Sequence, residues 1–160
     1  MVRGLLALAL LVGALGCGNE EEIAQLKHYS AEIHKLDQFN RRVQAEILRF
    51  DDPTQDITQA DIQGAFNLLE EYQKAVAAVT APDAATASNT HDLYVRSFDE
   101  AMGLASDEKG DTKRRTQSAA IGLRDLRRKL KDRVYPTFNL LMAREKLTGE
   151  QYELVWPESD

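Results

Sequence analysis

Apolar residues in this chain recur at steps of three and four, and the spacing is repeated in four separate segments. Such steps place apolar side chains on one face of an α-helix, whereas a half-buried β-strand would need strict alternation. Glycine and proline are sparse, with 9 and 4 residues among 160, so few positions interrupt helices. Amphipathic helices bury their apolar faces by packing together. The pattern therefore predicts an all-α fold, an antiparallel up-and-down four-helix bundle.

The first two helices are predicted from residue 20 to about residue 50, and from Thr58 onward. Asp52 precedes Pro53 and ends the first helix, because a residue before proline is pushed out of the helical region. Thr58, with Asp61 three residues later, matches an N-cap with a capping box. The two apolar faces carry Ile23, Leu26, Ile33, Leu36, Val43, Ile47 and Phe50, and then Ile62, Phe66, Leu69, Tyr72, Val76 and Val79.

The third and fourth helices are predicted after Pro82 and after Asp111, which is a suitable N-cap residue. Residues 83–90 form either a loop or two weak helical turns. Pro136 interrupts the fourth helix, which is long and is either kinked or split there. A short C-terminal tail, residues 151–160, follows. The apolar positions are Tyr94, Phe98, Ala101 and Ala105, and then Ala119, Leu123, Leu126, Leu130, Val134, Phe138, Leu141 and Met142.

The first 17 residues differ from everything that follows them. Arg3 precedes an apolar run over residues 4–15, which is shorter than the ~20 residues of a membrane span and fits the apolar part of a secretory signal. The run ends with Ala14, Leu15, Gly16 and Cys17. Cys17 is the only cysteine, so no disulfide or multi-cysteine metal site forms within one chain.

These four residues resemble the processing site of bacterial lipoproteins, in which small and apolar residues precede an obligatory cysteine. The resemblance implies cleavage of residues 1–16 and attachment of acyl chains such as palmitate at Cys17. Position 14 is alanine, where leucine is commonest in that family. Residues 17–19 would then tether a single domain, residues 20–160, to the bacterial cell envelope. In a Gram-negative cell, Gly18 implies the outer membrane, facing the periplasm. A plain secretory signal with an incidental cysteine is the alternative.

Charge is distributed unevenly along the chain. The net charge is -6, which argues against nucleic acid as a partner. Residues 111–135 nevertheless carry a net charge of +6, whereas residues 17–110 carry -10. The candidate basic interaction face comprises Arg124, Arg127, Arg128 and Lys131. In one interpretation this face contacts anionic lipid headgroups, lipopolysaccharide or an acidic partner. Alternatively, the basic helix lies between acidic neighbouring helices and helps to fix their pairing.

The tail contains the only tryptophan, Trp156, together with Tyr152. Two interpretations are open for these aromatic side chains. In the first, the tail folds back and caps the bundle. In the second, Tyr152 and Trp156 form a docking peptide for a partner.

No residue constellation predicts catalysis or a metal site. The three histidines are His28, His34 and His91, and no Glu-x-x-His pair of the kind that bundles use for metals is present. Gly-rich phosphate loops, nucleophile elbows and His-Glu-x-x-His are absent from the sequence. We therefore expect no enzyme activity, no metal and no cofactor. His91 is expected to be partly buried, with a backbone or carboxylate partner.

A second resemblance covers roughly residues 60–135. His91, the run from Phe98 to Met102, and a basic helix ending near Tyr135 are similar to the back half of the small periplasmic b-type cytochrome bundle. In that family a methionine on the first helix and a histidine near the end of the last helix bind haem. This chain matches neither ligand. The resemblance therefore implies the fold and not the haem.

The combined sequence features predict a lipid-anchored envelope protein whose helical bundle serves as a non-catalytic binding or scaffold module. The membrane is reached through the lipid on Cys17, and a protein partner in the envelope is expected. The alternative function is a periplasmic carrier of a small molecule or haem in the bundle core.

Overall fold

The computed structural model describes residues 9–106 and 110–157, with side chains from residue 20 onward in those ranges. The described residues form a helical bundle without strands, so the all-α prediction is confirmed. Its helices are α1 (Ala9–His34), α2 (Asp37–Asp51), α3 (Gln59–Ala77), α4 (Ala85–Ala105), α5 (Thr112–Lys129) and α6 (Tyr135–Arg144). A π-helical turn (Leu130–Val134) joins α5 to α6, and a 3₁₀ turn (Glu150–Tyr152) opens the tail.

The segment predicted as one helix up to residue 50 is divided into α1 and α2. Between them, the Leu36 amide donates to the Ile33 carbonyl at 3.0 Å and the Phe39 amide donates to the Leu36 carbonyl at 2.9 Å. These hydrogen bonds span three residues instead of four, which winds the chain more tightly. Leu36 is buried in this turn. The apolar spacing therefore continues through the break, which is why the pattern predicted one helix.

The predicted caps form at two helix starts. The Asp61 amide donates to the Thr58 hydroxyl, and the Thr58 amide donates to the Asp61 carboxylate at 2.8 Å, which completes a capping box. Hydrogen bonds from Thr58 lower the pKa of Asp61 to about 2. At α5, the Arg114 amide donates to the Asp111 carboxylate at 2.8 Å. Most of the segment 83–90 belongs to α4, so it forms helical turns and not a loop.

Pro136 is the second residue of α6, immediately after the π turn. A proline inside an α-helix lacks an amide hydrogen, and its ring clashes with the carbonyl four residues earlier. Here the Tyr135 amide donates to the Leu130 carbonyl, five residues back, which widens the turn. The Thr137 hydroxyl donates to the Arg133 carbonyl at 2.7 Å. The wider turn and this side-chain hydrogen bond accommodate the proline.

The helices pack most extensively where α4 meets α5; α2 also packs against α3 and α5. Gly122 lies at the α4–α5 contact. A Cβ atom at Gly122 would lie 2.6 Å from the carbonyl oxygen of Ala101 and 2.8 Å from the Cβ of Ala105. The missing side chain therefore allows the two backbones to approach closely. Fully buried apolar side chains of the bundle core include Leu26, Ile47, Leu69, Phe98, Leu123, Leu126, Leu130 and Phe138.

A chain of hydrogen bonds crosses the core from α4 through α3 to α2. The Tyr72 hydroxyl donates to the Asn40 side-chain oxygen at 2.6 Å and lies 2.5 Å from the Tyr94 hydroxyl. Since Tyr72 has only one hydroxyl proton, Tyr94 is the donor to Tyr72. The Asn40 amide in turn donates to Asp37 at 3.0 Å. Burial raises the pKa of both tyrosines well above the ordinary value, so both stay protonated.

The close approach at Gly122 predicts that Gly122→Ala destabilises the fold by about 1–3 kcal/mol, because the backbone oxygen of Ala101 cannot move aside easily. Gly64→Ala is the matched control. An added Cβ at Gly64 meets nothing within 4 Å, so the substitution is expected to stabilise α3 by about 0.5–1 kcal/mol. Urea unfolding followed by circular dichroism measures both changes. Equal effects of the two substitutions would contradict this packing.

The hydrogen-bond chain predicts unequal effects for two buried tyrosines. Tyr72→Phe leaves Asn40 and Tyr94 without their buried partner, at a cost of about 1–3 kcal/mol for each orphaned group. The Tyr135 hydroxyl is buried close to Tyr72, Tyr94 and Asn40, but among the described residues none of these contacts has the geometry of a hydrogen bond. Tyr135→Phe is therefore expected to change the free energy of unfolding by less than about 1 kcal/mol. A larger loss for Tyr135→Phe than for Tyr72→Phe would contradict the arrangement.

Candidate functional site

The predicted basic face lies on α5 and the π turn, and most of its residues contact neighbouring side chains. Arg124 forms an ion pair with Asp51 of α2, and Arg127 donates to the Gln44 side-chain oxygen of α2 at 3.4 Å. These contacts support the interpretation in which the basic helix fixes helix pairing. The side chains of Arg124 and Asp51 are 44% and 43% exposed, so their ion pair contributes only about 0–1 kcal/mol.

Arg128 and Lys131 occupy more exposed positions on the same face. The Arg128 side chain is 69% exposed, and its guanidinium lies 2.5 Å from a carboxylate oxygen of Asp125 on the same helix. Lys131 is exposed on the π turn. The four predicted residues therefore do not form one continuous surface site. Arg124 and Arg127 contact side chains of α2, whereas Arg128 and Lys131 lie close to or on the π turn.

Lys129 is the charged residue that sequence reasoning overlooked. Its side chain is only 8% exposed, and its ammonium lies 2.7 Å from Asp125 and forms a second ion pair with Glu100 of α4. Lys129 follows Leu126 by three residues, so it stands on the apolar face of α5. The three-residue spacing from Leu126 was therefore the sequence feature that indicated a buried position. It did not lead to a prediction of burial, because lysine side chains are normally solvated.

Asp125 is the buried counter-charge of Lys129. Its side chain is 10% exposed. Burial raises the pKa of the Asp125 carboxyl, but hydrogen bonds from Lys129 and Arg128 outweigh this effect and hold the pKa below its ordinary value. Asp125 is therefore ionised at neutral pH, and the ammonium of Lys129 has a fixed anionic partner on its own helix.

A surface cavity of about 200 Å³ opens beside Lys129, between α4 and the π turn. Its lining includes three cationic and two anionic side chains: Arg128, Lys129, Arg133, Glu100 and Asp132. The volume is below the ~300–1,000 Å³ of pockets for drug-sized ligands. It is several times the ~30 Å³ that a water molecule occupies in the liquid. A small polar group therefore fits this cavity better than a large apolar one.

The histidines do not converge. His28 is exposed. His34 contacts the carbonyl oxygens of Ser30 at 2.8 Å and Glu153 at 3.2 Å through its two ring nitrogens. In the part of the chain that the structure describes, no three histidine, cysteine, aspartate or glutamate side chains form a group able to hold a metal ion.

His91 is buried as expected, but the prediction of a backbone or carboxylate partner was wrong. Its Nδ1 lies 3.3 Å from the Tyr29 hydroxyl of α1, and the two rings pack edge to face. Burial lowers the pKa of His91, against a smaller raising effect of Asp92. The partner comes from a residue 62 positions away, which local spacing could not indicate.

The tail folds back onto the bundle, as the first of the two interpretations predicted. Trp156 is buried, its indole donates to the Gln44 side-chain oxygen at 2.9 Å, and its ring stacks on Tyr135. The Leu154 backbone exchanges two hydrogen bonds with the Asn139 side chain, at 2.8 and 3.0 Å. The docking alternative would need Trp156 at the surface. Of the two aromatic residues, Tyr152 is partly exposed and Trp156 is buried.

Cys17, the predicted lipidation residue, lies outside the residues whose side chains are described. Among the described residues, no helix is long and apolar enough to cross a membrane. No protein-family model matches the chain, and comparisons with curated proteins and with solved structures likewise find no match. Its function must therefore be inferred from its own residues and their contacts.

The burial of the tail predicts that Trp156→Ala destabilises the bundle by about 3–5 kcal/mol, since a large aromatic side chain and its hydrogen bond to Gln44 are lost together. The neighbouring Val155 is 69% exposed, so Val155→Ala should change stability by less than about 0.5 kcal/mol. Thermal unfolding followed by circular dichroism compares the two variants. An unchanged melting temperature for Trp156→Ala would contradict the fold-back of the tail.

Proposed function

We propose that this chain is a bacterial envelope lipoprotein, anchored through lipid on Cys17, whose helical bundle is a non-catalytic binding and scaffold module. The observation that carries the anchoring is the position of the only cysteine, directly after a short apolar run that follows Arg3. The mature chain begins at Cys17, and in a Gram-negative host it faces the periplasm from the outer membrane. Its expected partner is a protein of the envelope.

We also infer an antiparallel up-and-down arrangement of the helices in the module. Between α2 and α3, Arg42 bonds to Glu71 at 3.1 Å, whereas the later Arg49 pairs with the earlier Asp61. Between α4 and α5, the order of contacts is also opposite, since Glu100 pairs with Lys129 while Gly122 meets the later Ala105. The last helix is inferred to bend at the π turn before Pro136.

The contacts in the core support a module that binds through its surface. The core between α3, α4 and α6 contains buried aromatic rings: Tyr72, Tyr94, Phe98 and Phe138. Their exposures are 0–1%, and the Tyr72 and Phe98 ring centroids are 4.9 Å apart. The carrier alternative would require these side chains to move, so we favour the scaffold function.

The anchoring is tested by expressing the full chain and Cys17→Ser in a bacterial host that is fed an alkyne-labelled fatty acid. The wild type is expected to carry the label and to sediment with membranes, and its N-terminal peptide should begin at a modified Cys17. Cys17→Ser should lose the label, because serine has no thiol to receive the lipid. An unlabelled wild type, cleaved or not, would refute lipid anchoring.

A further inference from the structure

We propose that the cavity beside the π turn binds a phosphate group through Arg128, Lys129 and Arg133, in place of the Glu100 carboxylate. This inference rests on the proposed binding role of the bundle and names the chemistry of its ligand. It does not depend on Cys17, since all the residues involved lie on α4, α5 and the π turn.

The first support is the burial of Lys129. Its side chain is 8% exposed, although lysine is among the residues least often buried. Removing an ammonium from water has a high cost, and replacing a buried ion pair by apolar residues is often neutral or stabilising. The folding of α5 therefore gains little from a charge here. Asp125 already supplies a counter-charge within α5, so the cavity that Lys129 also lines is the place where a further anion would bind.

The second support is the asymmetry between the two carboxylates that pair with Lys129. Asp125 is 10% exposed and lies on the same helix, so it remains as a fixed counter-charge. Glu100 is 77% exposed and reaches the ammonium from α4. Glu100 can leave without stranding a buried charge, because its own carboxylate is solvated and the ammonium of Lys129 keeps Asp125 as a partner. Glu100 thus occupies the position that an incoming oxyanion would take.

The third support is the geometry of the cationic side chains. Lys129 and Arg133 are four residues apart, across the start of the π turn, where the winding brings residues four to five apart onto one side. Guanidinium groups match phosphate oxygens through two parallel hydrogen bonds, and Arg128 and Arg133 supply two such groups. The site contains three cationic side chains and, once Glu100 has moved, two carboxylates, those of Asp125 and Asp132. Its net charge is then +1.

The size of the cavity limits the ligand to one small anionic group. About 200 Å³ accommodates a phosphate with a few waters and excludes a large ring system. Two sources share this chemistry: free phosphate, and the phosphate of a lipid headgroup at the membrane surface to which the chain is anchored. Separate titrations with inorganic phosphate and with a short-chain phospholipid distinguish these sources.

The test uses the full chain in an uncharged detergent, with ionic strength held constant by chloride. Inorganic phosphate and soluble short-chain phosphatidylglycerol are titrated separately, and binding is measured by calorimetry. Arg128→Gln/Arg133→Gln is expected to weaken binding about tenfold, because charge-assisted hydrogen bonds are lost. Glu100→Gln is expected to tighten binding severalfold, since the internal competitor loses its charge. Lys131→Gln, on the same turn but outside the cavity lining, is the control for general charge and should bind as wild type does.

Each outcome decides the proposal. Binding of inorganic phosphate with this order of affinities supports a site for free phosphate, and binding of the short-chain lipid alone with the same order supports a headgroup site. Absence of binding for both probes overturns the proposal. Equal losses for Arg128→Gln/Arg133→Gln and Lys131→Gln, or weaker binding by Glu100→Gln, also overturn it. Circular dichroism of each variant verifies folding, and none of the four substituted side chains is buried.

Discussion

The hydrogen-bond chain from Tyr94 through Tyr72 and Asn40 to Asp37 is the interaction on which the arrangement of α2, α3 and α4 depends. Apolar side chains attract one another without direction, so apolar stripes alone tolerate several rotations of a helix about its axis. Buried hydroxyl and amide groups do not tolerate such rotations, because a rotation would leave them unpaired, and an unpaired polar group in the core costs about 1–3 kcal/mol. Three helices must therefore present these side chains to one another at hydrogen-bond distance.

At the α4–α5 contact, Gly122 has no side chain and therefore lets the two helix backbones approach closely. This approach places Glu100 of α4 within reach of the buried Lys129. Lys129 in turn needs Asp125, because an isolated ammonium in the core is unstable. The close helix packing, the pairing of Lys129 with Glu100 and the cavity beside the π turn thus all involve residues of α4 and of the segment formed by α5 and the π turn.

Much of the local structure could be predicted because its causes lie within a few residues. The capping box of Thr58 and Asp61, the N-cap at Asp111 and the interruption at Pro136 all follow from neighbouring groups. The break at Leu36 could not be predicted, since a tight turn there keeps the apolar spacing intact. Of the candidate site, Arg128 could be named in advance, whereas the burial of Lys129 could not, because lysine side chains are normally solvated.

The sequence by itself determined that the chain folds as amphipathic helices, where most of them start and stop, and that one cysteine follows a signal-like segment. These properties depend on the period of apolar residues and on local hydrogen bonding. Only the tertiary structure decided that His91 meets Tyr29, that Trp156 meets Gln44 and that Glu100 meets Lys129. Such contacts join residues far apart in the chain. They depend on how each helix is rotated and placed against its neighbours, which the periodicity of a single helix does not specify.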